Sequence, residues 1–434
     1  MCDMFPHQLA LTKWAIKRGR AAIFADTGLG KTRMELAWAD VISRHVGLPV
    51  LILAPLAVAA QTVAEGRLIG IDVELCRSQA DIVSGINITN YDRAHKFEPR
   101  SFGGVVLDES SIIKHHDAKT FQRLSDAFRG TLYKLCATAT PAPNDWVEFG
   151  THAEFLGVCS RAEMLSEYFT HDGGDTSVWR LKKHAAPIFW EWVASWGALI
   201  RHPSDLGYDD SDYRLPPLDI IHHVTDTAQT LGGMLFPIEA QTLSERRSAR
   251  RISINDRVSA CANIVNSEPG PWVVWCDLNA ESAALASAID GSVEISGSDD
   301  IDVKESRLHA FASGNYRALV SKPSICGWGL NWQHAAHMAF VGVTDSYEAY
   351  YQAIRRCWRF GPKRPVTVHI FSSPAEGAVI ANLKAKQSAA SQMADSLSAH
   401  TRASVTQNVF GSARTTNLYA PSTHMTIPTF LRQT

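Results

Sequence analysis

An apolar run from Ala21 to Ala25 breaks into Asp26-Thr27-Gly28-Leu29-Gly30-Lys31-Thr32, and a helical pattern follows at once. A strand that opens through two glycines into a helix is the local form of a phosphate cradle. Gly28 and Gly30 let backbone N–H groups approach phosphate oxygens, Lys31 adds a point charge, and Thr32 offers a hydroxyl to magnesium. The helix that follows points its N-terminus at the anion. Ala25 stands where the usual G-x-x-x-x-G-K-[ST] pattern has its first glycine.

Further on, Gly104-Val105-Val106-Leu107-Asp108-Glu109 reads as a buried parallel strand ending in two acids. An acidic turn after a strand is common in α/β chains. At the carboxyl end of a strand in a nucleotide-binding sheet, the same pair would put Asp108 on a metal and Glu109 on a water molecule.

The remaining pattern predicts an α/β protein with two similar lobes. Short apolar runs at Ala21 to Ala25, Val50 to Ala54, Ile86 to Thr89, Val105 to Leu107 and Leu132 to Ala137 alternate with helical patterns and place a parallel-sheet lobe in residues 1–150. A second alternating block, with runs at Trp272 to Cys276, Val293 to Ile295, Ala318 to Ser321, Met338 to Val341 and Val366 to Phe371, places another in residues 254–384. Residues 151–215 crowd tryptophans, with Phe189, Trp192, Val193, Trp196 and Ile200 on one helical face, and read as a helical insertion packed on a lobe. Trp190 lies off that stripe and is a candidate contact.

Leu215-Pro216-Pro217-Leu218 starts a connector over 216–253 that holds the basic run Arg246-Arg247-Ser248-Ala249-Arg250-Arg251, open to reading as a solvated helix face or as a phosphate contact. Residues 385–434 read as a tail, helical near Met393 to Leu397, with its last part disordered or held by a protein partner.

With 434 residues and 45% hydrophobic content, the chain can fill two cores. Its net charge is -2, from 42 basic and 44 acidic residues, so affinity for nucleic acid would have to come from local patches. The eight cysteines form no C-x-x-C pair and sit mostly in apolar runs, which predicts neither disulfide nor zinc. No run approaches the length of a membrane span, and the expected place is the cytoplasm.

Taken in order, the motifs resemble superfamily 2 helicases, most closely the Swi/Snf-like branch of duplex DNA translocases, over about residues 5–375. Asp26 to Thr32 is similar to that branch's D-E-x-G-L-G-K-T loop. The segment Gln352-Ala353-Ile354-Arg355-Arg356-Cys357-Trp358-Arg359-Phe360-Gly361 resembles its Q-x-x-x-R-x-x-R-x-G motif, and Gly327-Trp328-Gly329-Leu330-Asn331-Trp332-Gln333 its G-x-G-L-N motif. Asp108-Glu109-Ser110-Ser111 replaces the usual D-E-A-H, and Pro362 stands where many relatives have glutamine. The compact size suggests a bacterial or phage-type member.

The resemblance implies two RecA-like lobes and an ATP hydrolase that moves on DNA, duplex and without sequence preference. A strand-separating DNA or RNA helicase and a non-hydrolysing nucleotide-gated clamp are the alternatives. The cofactors would be ATP and Mg²⁺. Gln8 would read adenine, Thr27, Gly28, Leu29, Gly30, Lys31 and Thr32 would hold the phosphates, and Gly329 would face the nucleotide. Thr32 and Asp108 would bind Mg²⁺, while Lys31, Asp108, Glu109 and the arginine fingers Arg356 and Arg359 would carry catalysis. Pro55, Thr89, Asn90, Thr138, Asn331 and Gln333 would face the nucleic acid.

Overall fold

The computed structural model describes residues 4–55, 58–172, 175–225, 250–327, 332–360 and 364–410. Two parallel sheets organise it, as the two blocks of apolar runs predict. The first sheet holds β1 (Arg20–Ala25), β2 (Val50–Ala54), β3 (Val73–Leu75), β4 (Ile86–Asn90), β5 (Gly104–Asp108) and β6 (Tyr133–Ala137). The hairpin β7 (Phe169–Asp172) and β8 (Asp175–Leu181) stands apart, and β9 (Gly197–Ile200) returns to the first sheet. Its order is β3-β4-β2-β5-β6-β1-β9.

The second sheet holds β10 (Leu218–Val224), β11 (Trp272–Cys276), β12 (Ser292–Ile295), β13 (Ala318–Ser321), β14 (His337–Val341) and β15 (Val366–Ser372). Its order is β10-β15-β14-β11-β13-β12.

The central strands of each sheet are buried on both faces, which is why they are continuous apolar runs. Along β1, Ala22 and Phe24 enter one core while Ala21, Ile23 and Ala25 enter the other. In the second lobe Val273 and Trp275 face one core, and Trp272, Val274 and Cys276 the opposite one. The parallel neighbours β5, β6 and β1 bring three strand ends side by side, with Asp108 in register with Ala137 and Ala137 with Ile23.

The segment 151–215 is built into the first lobe. Its helix Ala186–Trp196 packs Phe189, Val193 and Trp196 into the core beside Phe24, and β9 then pairs with β1. Trp190 belongs to that core: it is buried, edge-on to Trp146 at 5.2 Å. The expectation of a contact there is corrected, because the face beside the stripe is covered as well.

The basic run is part outside the described residues. Its Arg250 is buried, paired with Asp277 at 2.6 Å and with Glu376 at 3.3 Å, so it braces the second lobe instead of facing phosphate.

The C-terminal region differs most from expectation. A helix runs over Gly377–Phe410. It starts on the second lobe, where Asn382 donates to Asp345 at 3.0 Å, and ends on the first, where Thr401 accepts from the Leu199 amide at 3.0 Å and Arg201 pairs with Asp395 at 2.8 Å. Leu383 sits in the second lobe's core and Leu397 in the first's. Residues 411–434 lie outside the described residues. Among the described residues, no helix is long and apolar enough to cross a membrane.

Candidate active site between the lobes

The glycine turn lies between β1 and the helix Lys31–Val46, called α2. Gly28 and Gly30 both have positive φ, at 92° and 83°, a conformation that side chains with a Cβ resist. Close packing excludes a Cβ too: at Gly28 it would meet Phe360 of the second lobe, and at Gly30 the Gln8 amide. The turn is therefore shaped by both lobes. Lys31 reaches back to the Ala25 carbonyl at 2.9 Å, and the buried Thr27 hydroxyl has no hydrogen-bond partner.

Gln8 sits in the helix Pro6–Arg18, buried, and donates to the Leu29 carbonyl at 3.0 Å. It holds the phosphate turn in this state. Thr32 is half-buried at the start of α2.

Asp108 ends β5, and Glu109 follows it. Among the described residues Glu109 is the one non-glycine with positive φ, 53°, the kind of strain that clusters at functional sites. Burial first, and then the Glu109 charge, push the Asp108 carboxyl up to about 7, against the pull of Lys31. The Tyr91 hydroxyl fixes the turn by donating to the Asp108 carbonyl at 2.6 Å. Thr138, after β6, donates to the Glu109 carboxylate at 3.3 Å.

The second lobe faces these groups with the helix Tyr347–Ile354 and the turns after it. Arg356 and Arg359 lie two and five residues past the end of that helix, so they do not share a helix face. Arg356 is buried and donates to the Gln352 carbonyl and side-chain oxygen, both at 2.9 Å. Burial lowers its pKa to about 10, and burial together with the charges of Arg356 and Arg355 lowers that of Arg359 to about 9. Both guanidiniums feel the attraction of Glu109 across the cleft. Glu109 thus lies within electrostatic reach of Asp108 in its own lobe and of Arg356 and Arg359 in the other.

Residues 261–361 match the family described as Helicase conserved C-terminal domain. The second lobe is, over that stretch, similar to a helicase C-terminal domain. That match runs from the helix Ile254–Ser267 through both arginines, and bears out the helicase resemblance of the motifs there. In structure the chain is similar to the Sulfolobus solfataricus SWI2/SNF2 ATPase core in complex with dsDNA, with 16% identity, 92% of this chain and 94% of that chain covered, and a TM-score of 0.41. No curated protein sequence matches it.

Residues expected at the nucleic acid divide. Thr89, Asn90 and Thr138 are buried, and Asn90 caps a short helix by accepting from the Arg93 amide at 3.0 Å. Pro55 is half-buried, as is Gln333, which donates to the Phe360 carbonyl at 2.8 Å within the second lobe. Gly329 and Asn331 lie outside the described residues.

Sequence reasoning missed the groups that join the lobes. Arg355 and Tyr351 both bond the Asp26 carboxylate, and Glu348 pairs with Lys114 and accepts from Thr140 at 3.4 Å. The signal available was the Arg355-Arg356 doublet, where the motif itself asks for one arginine. Glu35 was also missed: it is wholly buried in α2, four residues past Lys31.

Proposed function

We propose that this chain hydrolyses ATP and couples the reaction to movement on duplex DNA, as a translocase of the Swi/Snf-like branch of superfamily 2. What supports the reading is that Lys31 and Glu109 act on Asp108 in one lobe while Glu109 attracts Arg356 and Arg359 of the other.

The residues fit nucleotide and Mg²⁺: a side-chain-free turn, an unpartnered Thr27 hydroxyl, and buried carboxyls beside Lys31. Thr27 to Thr32 would hold the phosphates, and Thr32 and Asp108 the metal. Bound MgATP supplies the scissile phosphoanhydride with its charge partly neutralised. Glu109, set by its strained backbone and by Thr138, orients the attacking water. Lys31 and the two arginines stabilise charge on the transferred phosphoryl group. Gln8 gives the turn its shape, and adenine recognition by its amide requires release of the Leu29 carbonyl.

Movement follows from closure and opening of the lobes, a rigid-body change of the kind that nucleotide hydrolases use. Thr138 ties the segment Ala137 to Pro141 to Glu109, and Thr140 ties it to Glu348 of the second lobe, so hydrolysis and lobe position share one strand end. DNA contacts to backbone phosphate make affinity independent of sequence and steeply dependent on salt.

The test is phosphate release measured in parallel with duplex DNA, single-stranded DNA and RNA. Duplex DNA is expected to stimulate it most. Equal rates with and without nucleic acid contradict the proposal.

A further inference from the structure

Glu35 lies one turn into α2 with a relative exposure of 0%, and neither carboxylate oxygen has a hydrogen-bond partner. Spacing of four residues puts it on the same helix face as Lys31. The Asp108 carboxyl lies within hydrogen-bonding reach, and the charges of Lys31 and Glu109 act on it as well. Its neighbours along the helix, Met34, Leu36, Ala37 and Trp38, are core residues.

A buried carboxyl group with no donor is unfavourable, and an apolar residue of similar size would pack the same space at lower cost. A cation beside it offsets that cost, and Asp108, the carboxyl proposed above for the metal, is its neighbour.

We propose that Glu35 is a third acidic group of the magnesium site, acting with Asp108 to hold the ion and its hydration shell when nucleotide is bound. Mg²⁺ in nucleotide sites keeps several waters and takes one or two carboxylates plus phosphate oxygens. Asp108 and the phosphates supply direct ligands, and Glu35 an acceptor for the shell. Glu35 is thus a positioning residue for the metal, and the inference rests on the nucleotide-hydrolase reading above.

The experiment is Mn²⁺ binding by electron paramagnetic resonance, with ADP present, on full-length wild type, Glu35→Gln and Glu35→Asp. Outer acidic partners of a metal site typically contribute 10- to 100-fold in affinity. Glu35→Gln, close in shape and neutral, is expected to weaken Mn²⁺ affinity by about 10-fold or more, to raise the thermal midpoint of the ligand-free protein, and to bind ADP alone as wild type does. Glu35→Asp is expected to recover part of the affinity. If wild type binds Mn²⁺ with ADP and Glu35→Gln does so equally well, the acid is only a core residue and the inference is overturned alone. Wild-type protein that takes up neither ADP nor Mn²⁺ overturns the hydrolase reading and this inference together.

Discussion

Arg355 of the second lobe donates to the carboxylate of Asp26 in the glycine turn of the first. Tyr351 donates to the other oxygen of the same group, and the guanidinium lies over the rings of Trp358 and Phe360 at 5.0 and 5.5 Å. Burial opposes ionisation of Asp26, but Arg355 and Tyr351 outweigh it and hold the carboxyl below its ordinary range. The pair closes the cleft on the turn that would carry phosphate.

Truncating one partner of a buried ion pair leaves the other charged and dry, at a cost of about 3–5 kcal/mol. Arg355→Ala is expected to open the lobes, seen as a larger radius of gyration in solution scattering without nucleotide. Adding Asp26→Asn is expected to lessen the loss of stability, since no buried charge is then left alone. An unchanged scattering profile in Arg355→Ala means that the pair does not hold the lobes together.

Thr138 gives a second expectation. Its hydroxyl reaches Glu109, and its backbone amide bonds the Ile23 carbonyl at 3.2 Å, beside the phosphate turn. Thr138→Val keeps shape and loses the hydroxyl. Basal ATP turnover is expected to fall, since Glu109 loses a partner, and stimulation by DNA to fall further, by about tenfold, the loss of one hydrogen bond worth about 1.4 kcal/mol. Equal proportional loss of both rates assigns Thr138 to chemistry instead of coupling.

His152 sets an acid limit on the first lobe. It is wholly buried between Ser110, at 3.1 Å, and the Glu148 carbonyl, and burial lowers its pKa to about 4. Above pH about 6.5 the ring is neutral in both folded and unfolded chains and contributes no pH dependence. Between pH about 6.5 and 4 the unfolded chain takes up a proton that the folded chain does not, so stability falls with pH. The gap corresponds to about 3 kcal/mol. Urea midpoints at pH 7 and pH 5 are expected to differ less in His152→Gln than in wild type; identical pH profiles refute this assignment.

The helix Gly377–Phe410 spans both lobes and must bend or pivot when they move. Leu397, wholly buried in the first lobe's core, is the anchor to test. Leu397→Asp is expected to release the helix end, detected as faster amide exchange over residues 393–405 while the second lobe keeps its protection. Unaltered exchange over that stretch shows that Leu397 does not anchor it.

How much of this was legible in the sequence depends on burial and on range. Strands buried on both faces appear as unbroken apolar runs, and those from Ala21 to Ala25, Trp272 to Cys276 and Val366 to Phe371 all proved to be strands. Of the four edge strands, only Ser292–Ile295 was legible, as the run Val293 to Ile295. Leu218–Val224 is mostly exposed, follows two prolines and looks like a connector, while Gly197–Ile200 follows a helix with no turn between them. The glycine turn, Asp108, Glu109 and the arginines stood out as candidates because their patterns are local. Asp26 with Arg355, and Lys114 with Glu348, are separated by hundreds of residues, and nothing in either segment alone pairs them. Glu35 was hidden for another reason: an acid in an amphipathic pattern reads as a solvated position, and its burial shows only in three dimensions.

The central claim is that two lobes complete one reaction centre, and the arginines test it most directly. Phosphoryl-transfer enzymes that lose such an arginine lose about 10³ to 10⁵ in turnover. The measurement is ATP turnover with saturating duplex DNA, beside binding of a fluorescent ATP analogue, for wild type, Arg359→Ala and Arg356→Lys. Turnover is expected to fall by about 10³-fold or more in both variants, with analogue affinity within about threefold of wild type. Variants that hydrolyse ATP at the wild-type rate contradict the account.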